Sequence, residues 1–216
     1  MYSCSISYRI MLYCVQCVRK PLPYIICRSK DFIMKASNIR KHFKLVCHHK
    51  WEVFKLCCRA GIPVQGLLHD MSKFSPVEFW ESVKYYHGHR SPLAVSREVN
   101  GYSKAWLHHQ GRNKHHWEYW IDGYIHGGYG CIIPFKYACE MICDMIAASK
   151  VYKAESYTLD CPLTYFKAQT YGRFVHPQIQ AFMNAAFTAY ATEGPNAISK
   201  ENLAALYKTY VTDVVE

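Results

Sequence analysis

Residues 134–153, PFKYACEMICDMIAASKVYK, carry the strongest helical pattern of the chain. A proline suits the first turn of a helix, since its missing N–H needs no partner there, and the apolar residues that follow predict a helix packed in the core. One carboxylate, Asp144, interrupts this helix. It shares a helical face with Tyr137, Met141, Ala148 and Val151. Because burying an unpaired carboxylate is costly, Asp144 is expected either to bind a metal ion or to pair with a lysine or arginine of another helix.

Outward from this helix, the chain reads as further helices separated by Gly, Pro and Asn residues. Strand-like alternation is scarce and no internal repeat is visible, so the sequence predicts an all-α protein. The stretch Ser75-Pro76-Val77-Glu78 has the N-cap, N1 and N3 residues of a helix start. The other predicted helices cover residues 38–60, 64–72, 76–86, 93–99, 102–109 and 115–122, and two more follow Pro177, separated at Glu193-Gly194-Pro195-Asn196.

The N-terminal part differs from the rest of the chain in composition and charge. Residues 1–33 are basic, rich in cysteine and without helical periodicity, so we expect a poorly ordered or mis-started extension ahead of a single domain at 34–216. Residues 1–50 contain ten Lys or Arg and one Asp, and thus hold +9 of the net charge of +10. A basic arm can contact phosphates, but the nearly neutral remainder of the chain argues against a nucleic-acid partner.

The eleven cysteines are odd in number and scattered, and the N-terminus lacks a convincing signal peptide. Both features argue for reduced thiols and a cytoplasmic location. Cys14 and Cys17 form a C-x-x-C pair, and Cys27 follows as a candidate third zinc ligand. No fourth ligand at suitable spacing is evident. No run of 18 uncharged apolar residues occurs, so neither a membrane-spanning helix nor a membrane partner is expected.

The dipeptide His69-Asp70, within LLHDMSKFSP, offers two adjacent metal ligands. On the predicted helix 64–72 the two side chains point about 100° apart, so both reach one metal ion only from the edge or end of that helix. Burial of three apolar residues is expected to hold the helix in place: Leu67, Leu68 and Phe74.

His49 is the expected upstream partner of this dipeptide. The positions one and two turns after His49 are apolar, whereas those after His48 are mostly polar. His49 should therefore point inward and His48 outward. The alternative is that His49 is a hydrogen-bonded histidine of the core.

Four more histidines lie in AWLHHQGRNKHHWEYW. His109 shares a helical face with aromatic residues and, together with His115, is expected to bind a second metal ion. His108 and His116 would then orient ligands or contact the substrate. Arg112, in the loop between the two pairs, is a further candidate for a phosphate contact. The tryptophans of this segment are expected in the core rather than as a platform for stacking bases.

The pattern His49 … His69-Asp70 … Asp144 resembles the HD-domain superfamily of metal-dependent phosphohydrolases. The resemblance implies an HD-like helical bundle in which these four residues hold a divalent metal ion. Within HDMSK, Lys73 falls where the HD-GYP branch has a lysine that contacts substrate phosphate. No G-Y-P motif follows, so hydrolysis of cyclic dinucleotides is not implied.

HDMSKFSPVEFWESVKYYHG and AWLHHQGRNKHHWEYW are also similar to an uncharacterised family of bacterial and phage proteins. This similarity extends over about residues 40–210, whereas the HD-like core that bears the ligands spans about 45–153. The uncharacterised family implies no substrate.

The HD-domain resemblance implies a phosphohydrolase that acts on a nucleotide or a similar small phosphate ester. One or two divalent ions (Mn, Fe, Zn, Mg or Co) would activate a water molecule. Asp70 would be both a ligand and a base that orients the water, and Lys73 would bind phosphate. The alternatives are a catalytically silent HD-like protein that binds metal and nucleotide, and a purely structural helical domain, which would have to explain Asp144 without metal.

Overall fold

The computed structural model describes residues 36–88, 91–123 and 128–213. Regular structure in these residues is almost entirely helical, which confirms the all-α prediction. The predicted extension at residues 1–33 lies outside the described residues, so the domain boundary at residue 34 stays a prediction. The α-helices are α1 (Ala36–Arg59), α2 (Pro63–Leu68), α3 (Pro76–Lys84), α4 (Pro92–Asn100), α5 (Lys104–Gln110), α6 (Phe135–Lys153), α7 (Cys161–Ala168), α8 (Pro177–Glu193) and α9 (Lys200–Tyr210).

Helix α6 forms the centre of the hydrophobic core. It packs against α1, α7, α8 and α9, and residues on one side of it, such as Ile142 and Ile146, are almost completely buried. Helix α8 contributes the largest buried side chains, Phe182 and Phe187. The apolar pattern of residues 134–153 therefore gives a helix that faces the core on one side. Asp144 lies on the other side, where 18% of its side chain is exposed.

Several helix ends follow the signals in the sequence. Helix α1 stops before Gly61, whose φ of 73° lies in the left-handed region that other residues rarely adopt. Ser75 caps α3, because its Oγ accepts a hydrogen bond from the backbone N–H of Glu78 at 3.5 Å. A 3-10 turn, Gly194–Ala197, separates α8 from α9. These three boundaries confirm the predicted ones.

The prediction of a helix at residues 115–122 is wrong. Trp117–Trp120 form a single 3-10 turn, and strand β1 (Ile121–Asp122) then pairs with the antiparallel strand β2 (Tyr129–Gly130). The approach of β2 requires glycine, since a Cβ at Gly130 would collide with the backbone of Phe174. Helix α7 was not predicted from the sequence.

The predicted helix at 64–72 is shorter than expected, because α2 ends at Leu68. Leu67 and Leu68 are 65% and 60% exposed, so the expectation that they anchor this segment in the core is wrong. The anchor is instead Gly66, which is buried against α1. A Cβ at Gly66 would lie only 2.6 Å from the Cβ of Cys57, so close packing of the two helices requires glycine here.

Two further predictions concern cysteines and membranes. The seven cysteines of the described residues are all free thiols. Within the same residues, no helix has both the length and the apolar character needed to cross a membrane.

Candidate metal centre

The His69-Asp70 dipeptide lies in a turn after α2 and not on a helix. His69 leaves α2 with a ψ of 130°, Asp70 follows with a φ of 52°, and Met71–Phe74 form a 3-10 turn. Aspartate is one of the few residues other than glycine that adopt this left-handed region at modest cost. Lys50 of α1 donates a hydrogen bond to the carbonyl oxygen of His69 and so holds the turn. His69 and Asp70 are each 1% exposed, and both side chains point into the interior of the protein.

Four of the predicted ligands converge on one position: His49, His69, Asp70 and Asp144. His49 Nε2 lies 3.0 Å from Asp144 Oδ1 and 3.4 Å from His69 Nε2. His69 Nε2 lies 3.2 Å from Asp70 Oδ2. Atoms that each bind one cation at about 2.1 Å are roughly 3.0–3.4 Å apart at octahedral or tetrahedral angles. These three distances fit a single divalent ion, whereas the 3.8 Å between His49 Nε2 and Asp70 Oδ2 is longer than that range. His49 is buried and His48 is exposed, as the sequence predicts.

The second oxygen of Asp70 belongs to another group, which also contains His109, His115 and His116. Nε2 of His109 and Nε2 of His115 each lie 3.2 Å from Asp70 Oδ1. These two contacts are short but lack hydrogen-bond geometry, so Asp70 Oδ1, His115 Nε2 and His116 Nε2 are buried without a geometrically formed hydrogen bond within the described part of the chain. Buried atoms of this kind are rare in folded proteins unless an ion or a water molecule completes them. The second group thus also has the character of a cation site.

His116 is itself one of the donor residues, whereas the sequence predicts an orienting or substrate-binding role for it. The centroid of its ring lies 4.4 Å from that of His115 and 5.1 Å from that of Trp106. Burial, together with the positive charge of His115 and His109, holds the pKa of His116 well below its usual value. A neutral imidazole with an unshared Nε2 electron pair is a good metal ligand.

Asp70 is shared by both groups and is ionised. Burial opposes its charge, yet the positive charges of His69, Lys73 and His109 hold the pKa of the Asp70 carboxyl well below its usual range. One carboxylate shared by two neighbouring donor groups has the arrangement needed to bridge two cations.

Two buried glutamates fix the orientation of the imidazoles. Glu140 Oε1 lies 3.0 Å from Nδ1 of His69 and 3.1 Å from Nδ1 of His115. Glu78 Oε2 lies 2.7 Å from Nδ1 of His109. A hydrogen bond at Nδ1 leaves Nε2 free for a metal ion. Burial works to raise the pKa of Glu140, but hydrogen bonds from the two imidazoles outweigh it and lower this pKa to about 2.

Sequence reasoning missed both glutamates. Glu140 lies one helical turn before Asp144, so the argument from a carboxylate on an apolar helix applies to it equally. Glu78 has a clear local role at the start of α3, and its second role depends on the packing of α3 against α5. Of the two, only Glu140 could therefore have been identified from the sequence.

Two cavities open beside the two donor groups. The smaller has a volume of about 170 Å³, and polar residues such as His49, Asp70 and Lys73 make up more than half of its lining. The larger has a volume of about 690 Å³ and is rich in aromatic residues. Asp144 and His116 line both cavities, so a small molecule in either cavity could reach the donor atoms.

The remaining candidates differ in their distance from the donor groups. Lys73 Nζ lies 2.5 Å from Asp70 Oδ2 and faces the smaller cavity. Burial opposes its charge, but the carboxylates of Asp70 and Asp144 raise the pKa of Lys73 above its usual value, so it is a fixed positive charge. His108 Nδ1 lies 2.6 Å from Glu78 Oε1, beside the donor groups. Arg112 is exposed and lines neither cavity.

The fold and the site define an all-α protein with a buried cluster of histidines and carboxylates that could hold one or two divalent cations. The chain belongs to the family of unknown function DUF5662, whose model matches residues 38–189. Comparison with curated proteins and with solved structures gives no match.

Proposed function

We propose that this protein is an HD-like, metal-dependent phosphohydrolase that acts on a nucleotide or another small phosphate ester. The position of the Asp70 carboxylate is the observation that carries the proposal. Its two oxygens belong to adjacent groups of donor atoms, and the same carboxylate contacts Lys73 at the wall of an open cavity. Two divalent cations held by these groups would suit displacement at phosphorus, because both the entering and the leaving oxygen carry negative charge.

In this proposal each predicted ligand has its own role. His49, His69, Asp70 and Asp144 would hold one ion, and Asp70 would share the second ion with His109, His115 and His116. Imidazole nitrogens mixed with carboxylate oxygens suit Mn, Fe, Zn or Co. When bound, such ions supply an activated water molecule and offset the negative charge of the phosphoryl oxygens.

The protein groups around the ions would position the reactants. Lys73 would bind a phosphate oxygen as a point charge, since its ammonium group is held in place by Asp70. Asp70 would also orient the attacking water. Glu140 and Glu78 would keep three imidazoles in one tautomer.

The test is a comparison of wild-type protein with Asp70→Asn. Asparagine tolerates the left-handed backbone at residue 70, so the variant should fold, but it lacks the bridging charge. We expect about two ions per wild-type chain by elemental analysis, and hydrolysis of at least one member of a panel of nucleotides and p-nitrophenyl phosphate. Asp70→Asn should lose metal and reduce kcat/KM by more than about 100-fold. Asp213→Asn, at an exposed position, is the matched control.

Two results would contradict the proposal in different ways. Metal-loaded wild-type protein that binds nucleotide tightly but hydrolyses nothing in the panel would instead be a binding protein. Full metal content in both Asp70→Asn and Asp144→Asn would show that the two donor groups are not the metal site.

A further inference from the structure

The larger cavity has the size and position of a recognition site for the substrate's leaving group. Its lining includes His115, His116 and Asp144, so it begins at the donor atoms. At about 690 Å³ it falls within the range of roughly 300–1,000 Å³ that is typical of small-molecule sites. The smaller cavity, at about 170 Å³, falls below that range. A phosphate group bound at the cluster would therefore direct its alcohol into the larger cavity.

The walls of this cavity favour a flat, partly apolar group. Aromatic side chains line much of it: Trp106, Trp117, Tyr152, Tyr165 and Tyr171. Trp117 is held by a perpendicular contact with Tyr171, at 6.1 Å between ring centroids. Arg97 lies over the face of Trp106, 4.9 Å from the ring centroid. Rigid aromatic surfaces of this kind bind planar rings by stacking.

Glu118 adds a polar feature that the fold does not explain. It lines the larger cavity, and its Oε2 is buried without a hydrogen-bond partner among the described residues. It does not belong to any of the groups of donor atoms that converge as metal ligands in those residues. A buried acceptor that lacks a partner destabilises the protein, so its presence at the wall of a cavity calls for a ligand that completes it.

We infer that the larger cavity holds the alcohol part of the phosphate ester and that Glu118 accepts a hydrogen bond from a hydroxyl or amino group of that alcohol. The inference rests on the proposed phosphohydrolase function and adds a specificity-determining residue to it. The preferred substrates are then phosphate esters that combine an aromatic ring with a hydrogen-bond donor. A site with an unsatisfied acceptor discriminates strongly against ligands that lack the donor.

The test uses metal-loaded, full-length protein and matched phosphate esters. AMP is compared with its 2′-deoxy and 2′,3′-dideoxy analogues, which lack sugar hydroxyls, and with purine riboside monophosphate, which lacks the amino group. We expect wild-type kcat/KM to fall at least about tenfold for one of these analogues. In Glu118→Leu, which removes the acceptor and retains an apolar side chain, the ratio between AMP and that analogue should approach one. Glu193→Leu, at an exposed position, should keep the wild-type ratio.

Stability and binding measurements separate this inference from the proposed function. Glu118→Leu should change the unfolding midpoint little, because the loss of a backbone hydrogen bond and of the attraction to Arg97 is offset by the removal of a buried acceptor without a partner. Non-hydrolysable phosphonate analogues of the same nucleotides, titrated calorimetrically, should show the same donor preference in the wild type and lose it in Glu118→Leu. If no ester is hydrolysed but this preference is present, the proposed function fails and the inference stands.

Three outcomes overturn the inference. The first is an unchanged preference in Glu118→Leu. The second is an equal loss of affinity for all analogues in that variant, which would indicate damage to the cavity as a whole. The third is no binding of any phosphonate by protein that is shown to contain metal.

Discussion

Asp70 combines a backbone requirement with a side-chain requirement. Its φ of 52° is uncommon outside glycine, asparagine and aspartate. Its carboxylate is 1% exposed and lies between the Nε2 atoms of His69, His109 and His115. Glycine would relax the backbone but supply no ligand, and asparagine would supply no charge. Aspartate is thus the residue that meets the backbone requirement and the charge requirement of this position together.

Glu140 is the residue whose substitution best tests how the ligands are oriented. In Glu140→Gln the negative charge that faces Nδ1 of His69 and His115 is lost. One amide oxygen then has to accept both hydrogen bonds without that charge. We expect the affinity for Mn²⁺ to fall by about 10–100-fold, as is usual for partners that orient metal-binding histidines. Competition with a chelator of known affinity measures this change.

The control for Glu140→Gln is Glu193→Gln, an exposed position at the end of α8, which should keep wild-type affinity. A loss of Mn²⁺ affinity accompanied by unfolding would show only that Glu140 supports the fold. Near-ultraviolet circular dichroism of both variants therefore accompanies the titration. Unchanged affinity in folded Glu140→Gln would contradict the orienting role.

At the scale of elements, long periodic helices could be predicted from the sequence and short irregular segments could not. Helix α6 and the end of α1 follow directly from apolar spacing and glycine. The turn at residues 69–70 could not be predicted from spacing, because it depends on contacts with α1. Gly66 of α2 packs closely against α1, and Lys50 of α1 donates a hydrogen bond to the carbonyl oxygen of His69. Nor could the strand pair after residue 120, which depends on the close approach of Gly130 to a distant segment.

The same limit explains what could be predicted of the candidate site. The apolar spacing along the predicted helices indicated that His49 and Asp144 face the interior, and the structure brings the two side chains together. The same spacing gave His115 and His116 different roles, although both lie in a turn where helical spacing does not apply and both belong to the second donor group. The role of Glu78 could not be predicted from the sequence, since its contact with His109 depends on how α3 packs against α5.

The contact between α1 and α6 contains an ion pair that can be tested by pH. Glu52 Oε2 lies 2.8 Å from Lys150 Nζ of α6, and Oε1 lies 2.7 Å from Lys55 Nζ. Burial works to raise the pKa of Glu52, but hydrogen bonds from the two lysines outweigh it and lower this pKa. Because the folded-state pKa lies below the unfolded value of about 4.3, the stabilisation is complete above that pH and is lost as the pH falls through the folded-state pKa.

Glu52→Gln should therefore lower the free energy of unfolding at neutral pH and have less effect in acid. Since both lysines are about half exposed, the loss at pH 7 should be about 0.2–1 kcal/mol. Urea unfolding at neutral pH and near pH 4 measures it, with Glu155→Gln, at an exposed position, as the control. A difference that grows as the pH falls would contradict the assigned sign.

For the whole molecule, the candidate site draws on segments that are distant in sequence. His49 comes from α1, Asp70 from the turn after α2, His109 from α5 and Asp144 from α6. No single helix holds enough ligands for a cation, so the site requires the assembled fold. Within the described residues, the hydrophobic core begins at Val46, and the family match begins at residue 38. Both of these starting points lie after residue 33, where the predicted extension ends.

A chain of residues 34–216 should accordingly fold and bind metal like the full-length protein. We expect the same urea midpoint and the same number of ions per chain, because every candidate ligand lies at or after residue 49. A second truncation to residues 50–216 is the control. It removes His49 and more than half of α1, and should neither unfold cooperatively nor retain metal. If 34–216 behaves like the shorter chain while the full-length protein folds, residues 1–33 are part of the domain, and the predicted boundary is wrong.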